Sequence, residues 1–292
     1  MKNVQFSKVS IHEIQKGLSM EKILVLQLSR MGDLVQILPL LKRLKQEKPD
    51  CEISLVCVRE FSEIIRGSKL VDRLISLPVC DAMAALKPDD QTELSSIEPV
   101  LNIPELKEDY DLVINLTHTS GTGLMCERVN GKRKTGRVNA KKGEIRLSGD
   151  WAKYLFASSQ NRTENLFNLV DMYVGMGGIP QKPVEDYLKV ARYDHDKACR
   201  LLKANGYEEK NRLIAFQMGA NKLHRAWPVD NFVLLADQLK QREDVEIVLL
   251  GSEKEKEIGD RFQGQAGFSV IDLIGKTDLA DLPAVIKQCD FL

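Results

Sequence analysis

Ile23-Leu24-Val25-Leu26-Gln27-Leu28-Ser29-Arg30-Met31-Gly32-Asp33 reads as a strand running into a glycine and an aspartate, with a helix close behind. The aliphatic run Ile23 to Leu28 suits a strand buried on both faces of a parallel sheet. From Leu34, the apolar residues Leu34, Ile37, Leu38, Leu41 and Leu44 fall at helical spacing, which predicts a helix over 34–47. Asp33 then stands at the carboxyl end of a first strand and the amino end of a first helix, the edge where open α/β sheets bind ligands. Two roles are open to it there. It is an N-cap, its carboxylate accepting backbone N–H bonds, or a catalytic group.

The same alternation continues outward. Strands are expected at 52–58, 74–77 and 111–116, with a helical stretch from Phe61 to Gly67 and one short helix within the polar, proline-broken segment 79–105. Thr117-His118-Thr119-Ser120-Gly121 forms a polar loop at the carboxyl end of the 111–116 strand. A long helix over Glu164 to Met176 stops at Gly177-Gly178-Ile179-Pro180. After a helix at 194–205, strands at 213–217, 245–250 and 270–273 alternate with helices at 229–241 and 279–287. Strands alternating with helices mean βαβ units and parallel sheets. The expected organisation is a polar leader at 1–19, a first Rossmann-like domain at 20–180, a linker at 181–193 and a second Rossmann-like domain at 194–292. Cys289-Asp290-Phe291-Leu292 resembles the entry into one more core strand, so the second domain is expected to be incomplete in this sequence.

Composition narrows the function classes. Of 292 residues, 43% are hydrophobic and 29% charged, which describes a globular chain with a substantial core. Lys+Arg and Asp+Glu both number 42, so nothing overall suggests nucleic acid. Charge is uneven locally: Lys132, Arg133, Lys134, Arg137, Lys141, Lys142 and Arg146 cluster in one stretch, read as a solvated turn or as a surface for an anionic acceptor or lipid headgroups. Six scattered cysteines form no Cys-x-x-Cys pair, which speaks against a disulfide framework or zinc site and makes a reducing cytoplasm the simplest setting. The four histidines have no metal-ligand spacing. No apolar run approaches the ~20 residues that span a bilayer. Neither half carries Gly-x-Gly-x-x-Gly or a Walker lysine motif, so dinucleotide and NTPase readings lose ground.

Several stretches together resemble the bacterial heptosyltransferases, family nine of the glycosyltransferases. They are Ser29-Arg30-Met31-Gly32-Asp33 with Pro39; Asp111 to Leu116 followed by the basic turn Gly131-Lys132-Arg133-Lys134-Thr135-Gly136; Gly219-Ala220-Asn221-Lys222-Leu223-His224-Arg225-Ala226-Trp227-Pro228; Val248-Leu249-Leu250-Gly251; and Leu273-Ile274-Gly275-Lys276-Thr277-Asp278-Leu279. The order of these segments over 21–292 is more specific than any one of them. The resemblance implies a GT-B fold, with an acceptor-binding first domain and a donor-binding second domain. It further implies inverting, metal-independent transfer of heptose from ADP-heptose to the lipopolysaccharide inner core, with no cofactor beyond that co-substrate. The expected partners are a nucleotide-sugar donor and an anionic, lipid-linked saccharide acceptor at the cytoplasmic face of the inner membrane, with peripheral membrane contact.

Residue by residue, the resemblance makes Asp33 the general base. Arg225 and Lys222 would meet the donor diphosphate, with Ala220 and Asn221 lining the same loop. Ala220 stands where relatives often carry a hydroxyl. Glu255 would hydrogen-bond the ribose, although its charged run also suits a solvated helix start. Thr277 would lie against the adenine. Gly32, Thr117 and His118 would touch the acceptor, the alternative for His118 being a plain surface position. Trp227 reads as a packing residue behind the loop. The family's Asp-[Ser/Thr]-Gly-x-x-His motif would begin beyond Leu292, so the sequence as given is expected to bind donor poorly. The rival readings are a GT-B transferase using another nucleotide sugar, and a non-catalytic nucleotide- or glycan-binding protein of the same fold.

Overall fold

A computed structural model describes residues 22–65, 68–86, 94–139, 144–161, 163, 165–180, 192–209, 211–220, 223–242 and 244–292. The leader expected at 1–19 and nearly all of the linker expected at 181–193 lie outside these residues. The chain divides into two compact units, Met1–Leu188 and Lys189–Leu292.

In the first unit, β1 (Lys22–Gln27) is followed by α1 (Met31–Gln36) and α2 (Leu38–Glu47), then by β2 (Glu52–Val58) and β3 (Arg73–Leu77). Next come α3 (Val79–Ala85), α4 (Leu94–Leu101), β4 (Asp109–Asn115), α5 (Ser120–Arg128), β5 (Asn130–Arg137) and β6 (Leu147–Ser148). Two helices, α6 (Asp150–Gln160) and α7 (Leu169–Met176), close the unit. The sheet order is β3-β2-β1-β4-β5-β6, parallel throughout except for β6. Alternate residues of β1 feed two cores: Ile23 and Val25 face α1, α2 and α7, while Leu24 and Leu26 face α3 and α5. Burial on both faces is why the strand is an unbroken aliphatic run. The chain winds from β1 to β2 and β3 on one side, then returns to β4 and β5 on the other. Carboxyl ends of β1 and β4 therefore lie side by side at the reversal point, where such sheets place ligands. The opposite edge is bound by ion pairs, Glu108 meeting Lys22 at 2.9 Å and Arg73 at 2.6 Å.

Several elements differ from expectation. The helix expected at 34–47 is two helices that part at Ile37, with Pro39 in the first turn of the second, where its missing N–H leaves no gap. The stretch from Phe61 is a 3-10 helix, Arg59–Ile64. Among its described residues, segment 79–105 holds two α-helices, and the 3-10 turn Pro104–Lys107 follows at its end. The helix expected from Glu164 begins only at Leu169, because Asn168 caps it by accepting from the Asp171 N–H at 2.9 Å. The basic turn is strand β5, paired with β4 over Asp109–Ile114 and with β6 at Gly136 and Arg137. Lys141 and Lys142 lie outside the described residues.

The second unit runs α8 (Arg192–Ala204), β7 (Arg212–Gln217), α9 (Val229–Arg242), β8 (Val245–Leu250), α10 (Lys256–Gln265), β9 (Ile271–Asp272) and α11 (Leu282–Ile286). The last is shorter than the 279–287 expected, with Pro283 in its first turn. Strands β7, β8 and β9 form a parallel sheet in that order. On its other side β7 takes up Asp290 and Phe291, through Asp290 N–H to the Leu213 carbonyl and Ala215 N–H to the Phe291 carbonyl, both 2.8 Å. No helix among the described residues is long and apolar enough to cross a membrane.

Candidate active site

In the first unit the chain leaves β1 through Leu28, Ser29 and Arg30, and each of their backbone N–H groups is held by a side chain. Leu28 N–H donates to Thr117 Oγ1 at 3.0 Å, Ser29 N–H to Gln27 Oε1 at 3.2 Å and Arg30 N–H to Asp33 Oδ2 at 3.2 Å. The N-cap of α1 is therefore Arg30, with φ −79° and ψ 165°. Asp33 sits one turn in and reaches back, so the N-cap expected of it is corrected to the third helical position. An acidic group in the first turn stands at the positive end of the helix. Gly32, beside it, is exposed with open space where a side chain would stand.

Thr117 is 3% exposed, and its hydroxyl both accepts from Leu28 N–H and donates to Gln27 Oε1 at 3.0 Å. That hydroxyl ties the end of β4 to the end of β1 rather than facing an acceptor. His118 is half-buried with both ring nitrogens shielded from solvent, and among the described residues neither nitrogen has a hydrogen-bond partner. Burial, with the Arg137 guanidinium adding to it, pushes its pKa down from 6.5 to about 4, so the ring is neutral at physiological pH. The surface position considered for His118 is corrected accordingly. Arg137 itself is 2% exposed and reaches the carbonyls of Asn139 and His118 at 3.3 and 3.5 Å and Ser120 Oγ at 3.5 Å. This member of the basic cluster is thus internal structure at the carboxyl edge.

The second unit builds a comparable edge. Gln217 ends β7 and donates from Nε2 to Glu255 Oε1 at 2.8 Å. Ser252, just past β8, gives Glu255 Oε2 its N–H at 2.6 Å and its hydroxyl at 2.8 Å. Glu255 therefore closes a capping box on the 3-10 turn Glu253–Glu255 while leaning over the end of β7. Gly219 leaves room for it, since a Cβ there would come 1.4 Å from Glu255 Oε1. Gly275 N–H donates to the Gly251 carbonyl at 2.9 Å, which sets the half-buried Thr277 two residues beyond the same edge. Ala220 is exposed on the loop after β7; Asn221 and Lys222 lie outside the described residues. Arg225 is exposed at the end of the 3-10 turn Leu223–Arg225. Behind it Trp227, 47% exposed, stacks edge-on against Phe232 of α9 at 4.8 Å, the packing role read for it from sequence.

Gln27, Gln217, Ser252 and Tyr173 were not singled out from sequence. The signal for the two glutamines was present: each is a polar residue closing the apolar run of a first strand, Ile23 to Leu26 and Leu213 to Phe216.

Two α/β units, each built on a parallel or mostly parallel sheet, are the class of fold found in GT-B glycosyltransferases. The chain belongs to glycosyltransferase family 9 (heptosyltransferase), whose profile matches residues 103–292. It is similar to the lipopolysaccharide core heptosyltransferase OpsX of Haemophilus influenzae, 20% identical over 279 residues that cover 93% of this chain and 72% of that protein. Among solved structures, a glycosyltransferase family 9 protein of Veillonella parvula superimposes with TM-score 0.70 at 20% identity, covering 94% of this chain and 75% of that one. E. coli heptosyltransferase WaaC with ADP does so with TM-score 0.65 at 17% identity, covering 92% of this chain and 80% of that one.

Proposed function

We propose that this glycosyltransferase moves heptose from ADP-heptose onto a saccharide of the lipopolysaccharide core, inverting the anomeric centre without a metal. The observation that carries the reading is Asp33, a first-turn carboxylate at the reversal point of the sheet with one oxygen bound to Arg30 N–H. A sugar hydroxyl attacks poorly until its proton is removed. Asp33 takes that proton as the acceptor oxygen bonds to the anomeric carbon and the bond from that carbon to the diphosphate breaks. Charge gathering on the leaving diphosphate is met by cations of the 220–228 loop, Arg225 and Lys222, and by the amino end of α9. Ala220 is exposed on that loop, with Asn221 next in sequence. Glu255, held between Gln217 and Ser252, accepts from the ribose, and Thr277 packs beside the adenine. Gly32 admits the acceptor close to Asp33. The WaaC structures with ADP and with ADP-2-deoxy-2-fluoro heptose support the donor class, and the OpsX similarity supports the acceptor class. On this reading the acceptor is lipid-linked and anionic, and the enzyme works in the cytoplasm as a peripheral visitor to the inner membrane.

Turnover of ADP-heptose against UDP-sugars by the natural full-length gene product, with lipopolysaccharide core acceptors, tests this. Transfer from ADP-heptose that is abolished in Asp33→Asn is expected. Transfer from a UDP-sugar alone would replace the donor, activity persisting in Asp33→Asn would remove the base, and no transfer at all would favour a binding protein.

A further inference from the structure

β1 is apolar from Ile23 to Leu26 and then places the amide of Gln27 in the interior at 1% exposure. A buried amide needs its hydrogen bonds made, and it is costly when they are not. Gln27 spends them on three separate elements. Its Oε1 accepts from Ser29 N–H and from the Thr117 hydroxyl after β4, and its Nε2 donates to the Tyr173 hydroxyl of α7 at 3.4 Å. Thr117 then holds Leu28 N–H, and Asp33 holds Arg30 N–H, so the three residues joining β1 to α1 are pinned in succession. We infer that Gln27, acting with Thr117, is a positioning residue that fixes the β1–α1 turn and so aims the Asp33 carboxylate.

Neither side chain touches substrate in this account. Their effect passes through the backbone of Leu28 and Ser29 to the first turn of the helix carrying Asp33. Burial pushes the Tyr173 phenol up to about 12, and the nearby Asp33 charge adds to that rise, which agrees with the network and the carboxylate sharing one locality. A misplacement of the order of 1 Å in a general base costs up to ~100-fold in rate while leaving binding little changed. The inference rests on Asp33 being the base.

Gln27→Met and Thr117→Val, which keep volume and remove the polar contacts, are expected to lower kcat about tenfold or more, with donor and acceptor KM within about twofold. Thr117→Ser, which keeps the hydroxyl, is expected to recover most of the rate. In the unmutated protein the Leu28, Ser29 and Arg30 amides are expected to exchange slowly with deuterium, a measurement that needs no variant. Wild-type kcat in folded Gln27→Met and Thr117→Val, an equal loss in Thr117→Ser, a defect confined to KM, or amides exchanging at solvent rates would each overturn the inference. Activity in Asp33→Asn overturns the base and the inference with it, whereas an inactive Asp33→Asn beside fully active Gln27→Met removes only the positioning role.

Discussion

His118 gives a pH dependence that can be worked from its surroundings. The folded protein holds the ring neutral down to about pH 4, against 6.5 for the free side chain. Below 6.5 the unfolded chain takes up a proton that the folded chain refuses, so stability falls with acidification through that window and is fully present above it. At roughly 1.4 kcal/mol for each pH unit between the two values, the whole effect is about 3 kcal/mol, of which about 2 kcal/mol is gone by pH 5. His118→Phe removes the titration. It is expected to cost little near neutral pH, because neither ring nitrogen has a partner among the described residues to lose. The sequence holds two tryptophans, Trp151 in the first unit and Trp227 in the second. Trp151 stacks on Phe167 at 5.0 Å, so in a Trp227→Phe background its fluorescence follows unfolding of the unit that contains His118. Urea titrations at about pH 7.5 and pH 5 should show the histidine protein losing about 2 kcal/mol more than His118→Phe. Equal losses in the two proteins would refute the half-buried, neutral histidine.

The remaining perturbations act on other parts of the two edges. Gly219→Ala drives a methyl into Glu255 Oε1 and breaks the contact with Gln217, so donor KM should rise about 10- to 100-fold in initial-rate assays, with less change for the acceptor. Arg225→Ala removes a cation proposed to face the diphosphate, and kcat/KM for the donor should fall at least about tenfold. Gly136 has φ of +104° and passes so close to β4 that a Cβ would lie 2.1 Å from the Asn115 carbonyl oxygen. Gly136→Ala should therefore cost at least about 2 kcal/mol of first-unit stability in the same urea assay.

The fold was largely legible because strands buried on both faces must be mostly apolar, and the central residues of β1, β2, β4, β7 and β8 are. Errors fell where one local interaction overrides periodicity. The apolar spacing around Leu169 continues upstream, but the Asn168 side chain caps the helix there. β5 was read as a basic turn because lysine and arginine dominate it. Its pairing with β4 and β6 supplies what its side chains do not signal, and only Thr135, Gly136 and Arg137 are buried. His118 defeated a surface reading for a non-local reason: its environment is completed by Arg137, which arrives from β5.

Positions of the site residues were legible because strand-end glycines mark the carboxyl edge, but the ways their carboxylates are held were not. Asp33 and Glu255 each accept from the backbone N–H three residues earlier, at 3.2 and 2.6 Å. Sequence spacing alone makes them look alike, and the difference lies in the second oxygen. Glu255 Oε1 is taken by Gln217, so both oxygens are engaged and the carboxylate is held in place. Among the described residues Asp33 has one oxygen engaged, which leaves the other open for the proposed base role while the first keeps the carboxylate oriented. A glutamine ends the first strand in both units, yet Gln217 grips its carboxylate directly whereas Gln27 grips the backbone that carries Asp33. Direct gripping suits the binding role proposed for Glu255, and holding the backbone while sparing the carboxylate suits the base role proposed for Asp33.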